Sequence, residues 1–283
     1  MLFLKIPKGV MIDQPVVVDL LFNKTTLQQI FVLAEQGSNA ELLITKSAGG
    51  KCEFYSECFR VITHENAHIK ISHLFETDAP IPVVIDRKAK VHKEASINFL
   101  EMSVGTSYVK SAIIADLLEK DAEVKNTVLY LGRDEQKYDL YTASNHLSQQ
   151  THSNIITKGV LTDKAKGLSE SLVKITKEAP HSNGFEQQDA LVLSADAEAD
   201  AIPMLEINNN EVKCSHGSTI GQVDKEKLFY LMSRGLSEKE AKKLARQYHC
   251  DHMYWSARDE DRYLFMIDLD MDVSIVYYFE YLD

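Results

Sequence analysis

The most constraining feature of this sequence is a short motif that recurs at an almost fixed interval. The motif is a polar residue, alanine, any residue and an aliphatic residue, and its copies begin at Asn39, Asn66, Glu94 and Asp121. The alanines at positions 40, 67, 95 and 122 are therefore 27, 28 and 27 residues apart. A fixed period in this range is typical of solenoids, in which each repeat stacks on the one before it.

The segments between these motifs have the composition of short β-strands. From Leu2 to about Ile202, runs such as VVVDLLF, AELLITKS, HIKISHLFE and YDLYTAS are rich in β-branched and aromatic residues. Because the repeating unit is strand and turn rather than a helix pair, we expect a right-handed parallel β-helix that buries a continuous apolar column. Two stretches break the pattern: residues 109–122 suit either a helix or a buried strand, and residues 178–189 are predicted to form a loop.

Charge and cysteine content exclude several classes of protein. The 283-residue chain has a formal net charge of −11, and binding nucleic-acid phosphates requires clustered Lys and Arg, so we expect no nucleic-acid partner. No apolar run approaches the ~20 residues that cross a bilayer, and Lys5 and Pro7 interrupt any secretory signal. We therefore expect a cytoplasmic protein without a membrane partner. The cysteines lack the spacing of a disulfide framework and should be reduced; they are Cys52, Cys58, Cys214 and Cys250.

The densest group of constraints lies in residues 203–235. Its first residues predict a short strand that ends in the polar turn 208–210, and Val212 begins a second strand. Cys214 and His216 lie two residues apart on that second strand. Because strand side chains alternate between faces, the thiol and the imidazole should point the same way and could share one ligand or one surface.

A change from strand to helix is predicted after this point. Gly217 and Gly221 permit sharp bends, and Asp224 can cap a short helix. Residues 237–240 form a capping box, and the apolar residues from Ala241 to Tyr248 then recur at helical spacing. We therefore divide the chain into a β-helix core, residues 1–223, and a C-terminal helical subdomain, residues 224–283, with an acidic tail predicted to form strands.

Taken together, these motifs resemble the SufB/SufD family, the scaffold proteins of the SUF iron–sulfur cluster assembly system, and within it the SufD type. The matching residues are Pro203-x-Leu205-Glu206-Ile207, Val212-Lys213-Cys214-Ser215-His216-Gly217, Leu228-Phe229-Tyr230-Leu231 and Ser233-Arg234-Gly235. Weaker matches begin at Asn145, so the resemblance covers about residues 145–248. The sequence does not show the long N-terminal helical segment of many members, and we therefore expect a minimal-length member.

The resemblance implies the same β-helix and a role as a scaffold rather than as an enzyme. It implies a SufB-like partner in a heterodimer, with a homodimer as the simpler assembly, and an ABC-type ATPase, SufC, that docks on the C-terminal helices. Residues implied for that docking are Leu228, Phe229, Arg234, Gly235, Leu244 and Tyr248. Cys214 and His216 would lie at the subunit interface as ligands of a transient iron–sulfur cluster, with no stably bound cofactor. No phosphate-binding loop is present, so ATP hydrolysis would belong to the partner.

Two departures from the family pattern point to dependence on a partner. SufB-type members carry a cysteine immediately before the aspartate that is Asp189 here, and this chain has Gln188. They also carry glutamate after the motif histidine, where this chain has Gly217. Without this cysteine and its acidic companion, the chain should need a SufB-like subunit.

Two alternative functions remain open from the sequence. Residues 64–68, His-Glu-Asn-Ala-His, match the zinc-hydrolase pattern, which requires both histidines on one face of a helix. However, strand-like residues flank the motif, and Asn66 occupies the recurring turn position. A carbohydrate-active β-helix would instead need paired carboxylates in register along one face. Cys250 lies in a small Cys/His group with His249 and His252, and neither this group nor residues 251–283 have an assigned role.

Overall fold

The chain folds into a parallel β-solenoid of about 7 turns, with 67% strand and 1% helix. The computed structural model describes residues 1–49, 51–77, 80–222, 229, 232–235 and 237, and the backbone of strands at 253–257, 262–268 and 274–280. Of the helical residues in these ranges, none belongs to a helix long and apolar enough to cross a membrane. The predicted parallel β-helix is therefore confirmed.

Each coil of the solenoid gives one strand to each of two parallel eight-stranded sheets. The first sheet contains β1 (Leu2–Ile6), β3 (Thr26–Ala34), β5 (Tyr55–Thr63), β7 (Pro82–Val91), β9 (Tyr108–Leu117), β11 (Lys137–His146), β13 (Lys166–Ile175) and β15 (Glu198–Ile207). The second contains β2 (Val16–Phe22), β4 (Asn39–Ala48), β6 (His68–Thr77), β8 (Ser96–Val104), β10 (Glu123–Gly132), β12 (His152–Leu161), β14 (Asn183–Val192) and β16 (Lys213–Gln222). Each strand thus pairs with strands one coil away rather than with its neighbours in sequence.

Strand alternation separates the interior of the solenoid, which we call the lumen, from its outer faces. In β5, for example, buried and partly buried residues alternate without interruption. The apolar column inside includes Ile44, Phe59, Ile71, Ile97 and Phe99, each at most 1% exposed. Burying one such side chain stabilises the fold by about 1.5–3 kcal/mol, so the stacked coils are stabilised mainly by this column.

One corner of the solenoid explains the period of the sequence motif. There, each turn contains a residue in the left-handed region, with φ between 55° and 68°; these residues are Gly37, Asn66, Glu94, Asp121, Gln150 and His181. Backbone N–H groups in this column donate to the next coil, as in Asn66 N–H to Lys93 O at 2.9 Å. A left-handed residue is tolerated best when it is Gly, Asn or Asp, which limits the sequences that can occupy the turn.

The residue after each left-handed position is small and buried. Ala67, Ala95 and Ala122 stack there at no more than 1% exposure. The first copy of the motif lies out of this register, because Ala40 pairs with Ile69 and the place beside Ala67 belongs to Ser38. The period therefore identified the repeat correctly. The first copy of the motif, however, lies two residues C-terminal to the position that aligns with the other copies.

Three local predictions are decided by the structure. Residues 108–117 form β9 and not a helix; Val109, Ile113 and Leu117 are four apart, a spacing that also keeps them on one face of a strand. The predicted loop at residues 178–189 is wrong from position 183 onward, where β14 begins. The bends that Gly217 and Gly221 permit are not used, since β16 continues through both residues to Gln222.

The C-terminal part contains an antiparallel sheet of three strands in the order β17 (Met253–Ala257), β18 (Arg262–Asp268) and β19 (Ser274–Glu280). The strands predicted in the acidic tail are therefore present. The chain divides into compact units at Ile220 and Gly221, close to the predicted domain boundary after residue 223. Of the predicted helical residues, Phe229 and Met232 are described as helical, and most of residues 224–249 lie outside the described ranges.

Candidate functional site

Cys214 and His216 lie on β16, the terminal strand of the second sheet. Lys213 N–H donates to Ser182 O at 3.0 Å, which continues the ladder between coils and places Cys214 beside Gly184 and His216 beside Glu186. Both side chains occupy lumen-facing positions, so they share one face, as their spacing predicts. Cys214 is partly buried, and the His216 side chain is 50% exposed.

The Cys214 thiol lies in a space that depends on a glycine. A Cβ on Gly184 would lie 3.1 Å from Cys214 Sγ and 2.5 Å from Val173 Cγ1, so a side chain there would displace both groups. Burial raises the pKa of Cys214, and the Glu186 carboxylate adds to this effect, while the backbone of Gly184 opposes it. The thiol is therefore held in its protonated, weakly nucleophilic form.

A surface groove of about 690 Å³ runs across strands of the second sheet, and its lining includes Cys214, Ser215, Lys213, His152 and Asn154. The Cys214 side chain itself is partly buried. A nearby positive charge or a metal ion would be needed to favour its thiolate.

Glu186 is a residue of the candidate site that the sequence analysis missed. It is 0% exposed, and its Oε1 lies 3.6 Å from His216 Nδ1. Neither carboxylate oxygen forms a well-aligned hydrogen bond in the described part of the chain, although the Ser171 hydroxyl and the Met204 backbone lie close to it. Burial raises the pKa of Glu186, and the nearby Ser171 hydroxyl and the His216 ring act in the opposite direction. The alternating pattern Gly184-x-Glu186-x-Gln188 could have revealed it, but this segment was predicted to be a loop.

Gln188 occupies the position of the SufB-type cysteine and also faces the lumen, where it is 1% exposed. Its amide contacts the Ser171 hydroxyl, and with its oxygen towards Ser171 its nitrogen donates to Ser169 O at 2.8 Å. The neighbouring Gln187 donates from Nε2 to Asp189 Oδ1 at 2.6 Å. Both glutamine amides are therefore engaged within the strands and do not satisfy Glu186.

Gly217 lies on the opposite face of β16 from His216 because adjacent strand residues alternate. A Cβ at this position would be 2.2 Å from Gln187 Oε1, so the close approach of that side chain favours glycine. An acid at position 217 would face away from His216. The carboxylate nearest the imidazole therefore comes from the preceding coil and not from the motif itself.

The zinc-hydrolase motif at residues 64–68 forms a turn. Ala67 N–H donates to His64 O at 3.0 Å, and Asn66 is left-handed, so the two histidines leave the turn in different directions. His64 stacks on His92 with ring centroids 5.4 Å apart, and His68 Nδ1 lies 2.8 Å from Ser96 Oγ. The helical arrangement that the zinc motif requires is therefore absent.

Metal-donating residues do not gather into a larger group in the ranges that the structure describes. No cluster of three or more His, Cys, Asp and Glu residues there could hold a metal ion. Cys214 and His216 thus provide a pair of donors and not a complete site. The carboxylates expected of a carbohydrate-active β-helix are instead paired with lysines of the preceding coil, as in Lys166–Glu198 and Lys174–Glu206, both at 2.8 Å.

The remaining cysteines and the docking residues are placed only in part. Cys52 is buried and donates to Phe54 O at 3.5 Å, Cys58 is partly buried, and both thiols are free, as is Cys214.

Of the residues predicted to dock a partner, Phe229 is 74% exposed. Gly235 has a φ of 96°, and its N–H donates to Met232 O at 3.0 Å. Arg234 is exposed and lies in a turn. Leu228, Leu244, Tyr248 and Cys250 lie outside the described residues.

A second polar group, which the sequence analysis did not identify, lies nearer the N-terminus and is sealed in the lumen. Lys46 Nζ is 2.5 Å from Glu57 Oε2, Arg87 pairs with both Glu57 and Glu101, and all four side chains are at most 3% exposed. The Tyr55 hydroxyl donates to Glu57 at 2.8 Å, and Lys46 Nζ lies 3.1 Å from His73 Nδ1. The two cations and two carboxylates balance, so we call these four residues the sealed charge cluster.

A third polar group is formed by His146, which is 0% exposed. Its Nδ1 lies 2.7 Å from Thr151 Oγ1, and its Nε2 lies 2.8 Å from Ser153 Oγ. Burial lowers the pKa of His146 to about 4, and His152 adds to this effect. The ring is therefore neutral, with both nitrogens bonded to hydroxyl groups.

Comparison with known proteins gives one family. Residues 21–247 match the family model described as SUF system FeS cluster assembly, SufBD core domain. Proteins named iron-sulfur cluster assembly SufBD family protein from Staphylococcus epidermidis, Staphylococcus haemolyticus and Staphylococcus aureus are each 22% identical over 244 residues. The alignments cover 84% of this chain and 52% of each relative, so the chain spans about half the length of the curated relatives it matches. The matched region includes Glu186, Cys214 and His216.

Proposed function

The chain belongs to the SufBD core family of the SUF iron–sulfur cluster assembly system, and from this premise we propose that it is a SufD-like scaffold subunit. In this role it performs no chemistry of its own. It presents donor atoms at a subunit interface where a cluster is built and then passed on. The cluster is cargo in this scheme and not a resident cofactor.

The observation that carries the proposal is the position of Cys214 and His216 at the end of the solenoid. Both face the lumen from the terminal strand of the second sheet, and the imidazole is half exposed. Thiolate sulfur and neutral imidazole nitrogen are both suitable ligands for iron. A sulfur donor and a nitrogen donor therefore lie where a second subunit could reach them.

Pairing with a SufB-like subunit follows from the same geometry. Among the described strands, none follows β16 or β15 in its sheet, so each is an edge strand whose backbone can pair with another chain. Iron–sulfur clusters usually take four protein ligands, and this chain offers two here. The partner would supply the rest, in agreement with Gln188 at the SufB-type cysteine position. A second copy using the same edge is the alternative assembly.

An ABC-type ATPase of the SufC kind is proposed as the second partner. It would dock on the region predicted to be helical, residues 224–249. Phe229, 74% exposed, is the described residue that best suits such a contact, because exposed aromatic side chains often anchor interfaces. Closure of an ATPase dimer could then change the scaffold interface near Cys214 and His216.

The test is co-expression of the chain with its SufB-like and SufC-like partners, followed by anaerobic cluster reconstitution. We expect the proteins to co-purify, and His216→Ala to preserve the complex while strongly reducing the cluster absorbance and the bound iron. His64→Ala is the matched control, since it removes an imidazole from a surface turn. Failure to co-purify, or equal cluster formation by His216→Ala and His64→Ala, would overturn the proposal.

A further inference from the structure

We propose that Glu186 is a positioning residue for His216: its buried carboxylate holds the Nδ1 side of the imidazole and leaves Nε2 as the nitrogen presented at the end of the lumen. This assigns a role to a residue that lies outside the Cys214–His216 motif. The inference deepens the proposed scaffold function. It rests on that function only for the identity of the ligand that Nε2 would bind.

The burial of Glu186 is the first argument. The side chain is 0% exposed, and neither oxygen forms a well-aligned hydrogen bond among the described residues, with the Ser171 hydroxyl and the Met204 backbone as nearby polar groups. A carboxylate buried with so little compensation is costly and is normally retained for a reason beyond packing. Among the described residues, the other buried glutamates, Glu57 and Glu101, are paired with cations in the sealed charge cluster, so Glu186 differs from them.

The geometry between neighbouring coils is the second argument. Glu186 on β14 and His216 on β16 lie side by side at lumen-facing positions, with 3.6 Å between Glu186 Oε1 and His216 Nδ1. This distance is within ion-pair range and longer than a formed hydrogen bond; in the proposed arrangement the two groups close to a hydrogen bond. The ring is 50% exposed while the carboxylate is fully buried, so contact on the Nδ1 side directs the rest of the ring outward.

The engagement of nearby polar groups is the third argument. The Gln188 amide is bound by Ser169 and Ser171, and the Gln187 amide is bound by Asp189. Position 217, directly after His216, faces the other side of the strand and is glycine. Among the described side chains that carry a cation or an N–H group, the His216 ring lies within ion-pair distance of Glu186, and the Ser171 hydroxyl and the Met204 backbone are its other polar neighbours.

The chemical consequence concerns which ring nitrogen carries the proton. A carboxylate that accepts from Nδ1–H fixes the ring orientation and the tautomer, which makes Nε2 the basic nitrogen. Free imidazole side chains do not have this fixed direction. In this chain, Glu186 would fix the orientation and tautomer of the His216 ring in advance, so that Nε2 can bind iron or an iron-bearing partner without rearrangement.

The experiment uses the full chain with ¹⁵N-labelled histidine and the substitution Glu186→Gln, which preserves shape and removes charge. Long-range ¹⁵N–¹H NMR spectra in alkaline buffer, where imidazoles are neutral, report which nitrogen of His216 is protonated. We expect Nδ1–H in the wild type and loss of this preference in the variant. Anaerobic titration with Fe(II) should show binding weakened about 10- to 100-fold, the usual effect of losing a carboxylate behind a ligating histidine.

Two controls separate positioning from a structural role. Glu198→Gln removes a carboxylate from the neighbouring coil, where Glu198 pairs with Lys166, and should leave the His216 spectrum unchanged. Glu186→Asp retains the charge on a shorter side chain and should retain part of the Nδ1–H preference. A merely structural role for Glu186 would lower the unfolding temperature of Glu186→Gln without changing the tautomer.

The inference is overturned if His216 carries its proton on Nε2 in the wild type, or if Glu186→Gln leaves both the tautomer and Fe(II) binding unchanged. These results do not depend on the scaffold assignment. If His216→Ala assembled clusters normally while Glu186 still set the tautomer, the proposed function would fail and the positioning role would stand.

Discussion

Both the sealed charge cluster and the Glu186–His216 pair contain carboxylates that are buried in the lumen. The two sites differ in whether the neighbouring basic group is buried or accessible. In the first, Glu57 and Glu101 are matched by Lys46 and Arg87, and every side chain is at most 3% exposed. In the second, Glu186 is equally buried, but its neighbour His216 is half exposed and 3.6 Å away. A charge in the middle of the solenoid is thus compensated within the fold, whereas at its end the compensating group remains accessible.

This difference indicates that the sealed charge cluster serves the stability of the fold, whereas Glu186 can act on the accessible ring of His216. Buried charges that are fully paired cost a large desolvation energy and are destabilising to break, so the sealed cluster fixes how coils stack. A buried carboxylate with one accessible neighbour contributes little to stability and can act on that neighbour instead. The two sites should therefore respond differently to the same kind of substitution.

The largest expected effect comes from breaking the sealed cluster. Arg87→Met leaves Glu57 and Glu101 with Lys46 as their nearest cation, and the free energy of unfolding should fall by about 3–5 kcal/mol. Urea denaturation measures this change. Adding Glu101→Gln balances the remaining charges and should recover part of the loss. A loss below about 1 kcal/mol for Arg87→Met would show that the cluster is not compensated as described.

A smaller effect is expected from acid, through the sealed imidazole of His146. Its pKa is about 4 in the fold against an ordinary 6.5, so between these values the unfolded chain binds more protons. Stability should therefore fall as the pH decreases through this window, by up to about 3 kcal/mol. Urea denaturation at several pH values should show that His146→Gln loses this component. His64→Gln, at the surface turn, is the control and should leave the component in place.

The smallest effect is expected at the Glu186–His216 pair. Glu186→Gln removes a buried charge that no cation in the fold fully compensates, so the free energy of unfolding should stay unchanged or rise by about 1 kcal/mol. Glu198→Gln breaks an exposed ion pair and should change it by less than about 0.5 kcal/mol. Thermal and urea unfolding of both variants would check this order. A loss for Glu186→Gln as large as that of Arg87→Met would remove the distinction between the two sites.

Sequence patterns predicted the solenoid fold more accurately than they predicted the side-chain contacts inside it. The recurrent alanines and the alternating strands identified the repeat, and the spacing of Cys214 and His216 placed both on one face. Residues 183–189 were included in a predicted loop, residues 178–189, because Pro180, Asn183 and Gly184 are typical of turns. In the fold they form a strand, since Ser169 and Ser171 bind the Gln188 amide inside the lumen and Gly184 leaves room for the Cys214 sulfur.

The chain alone determined what depends on neighbours a few residues apart: strand character, the direction of alternate side chains, and the turns that tolerate a left-handed residue. The tertiary structure decided what depends on stacking, including Glu186 beside His216 and the charges sealed around Arg87. Those contacts follow from hydrogen bonds between coils whose corner positions are 27 to 31 residues apart. Because the coil length varies, no fixed spacing in the sequence can specify which side chains meet.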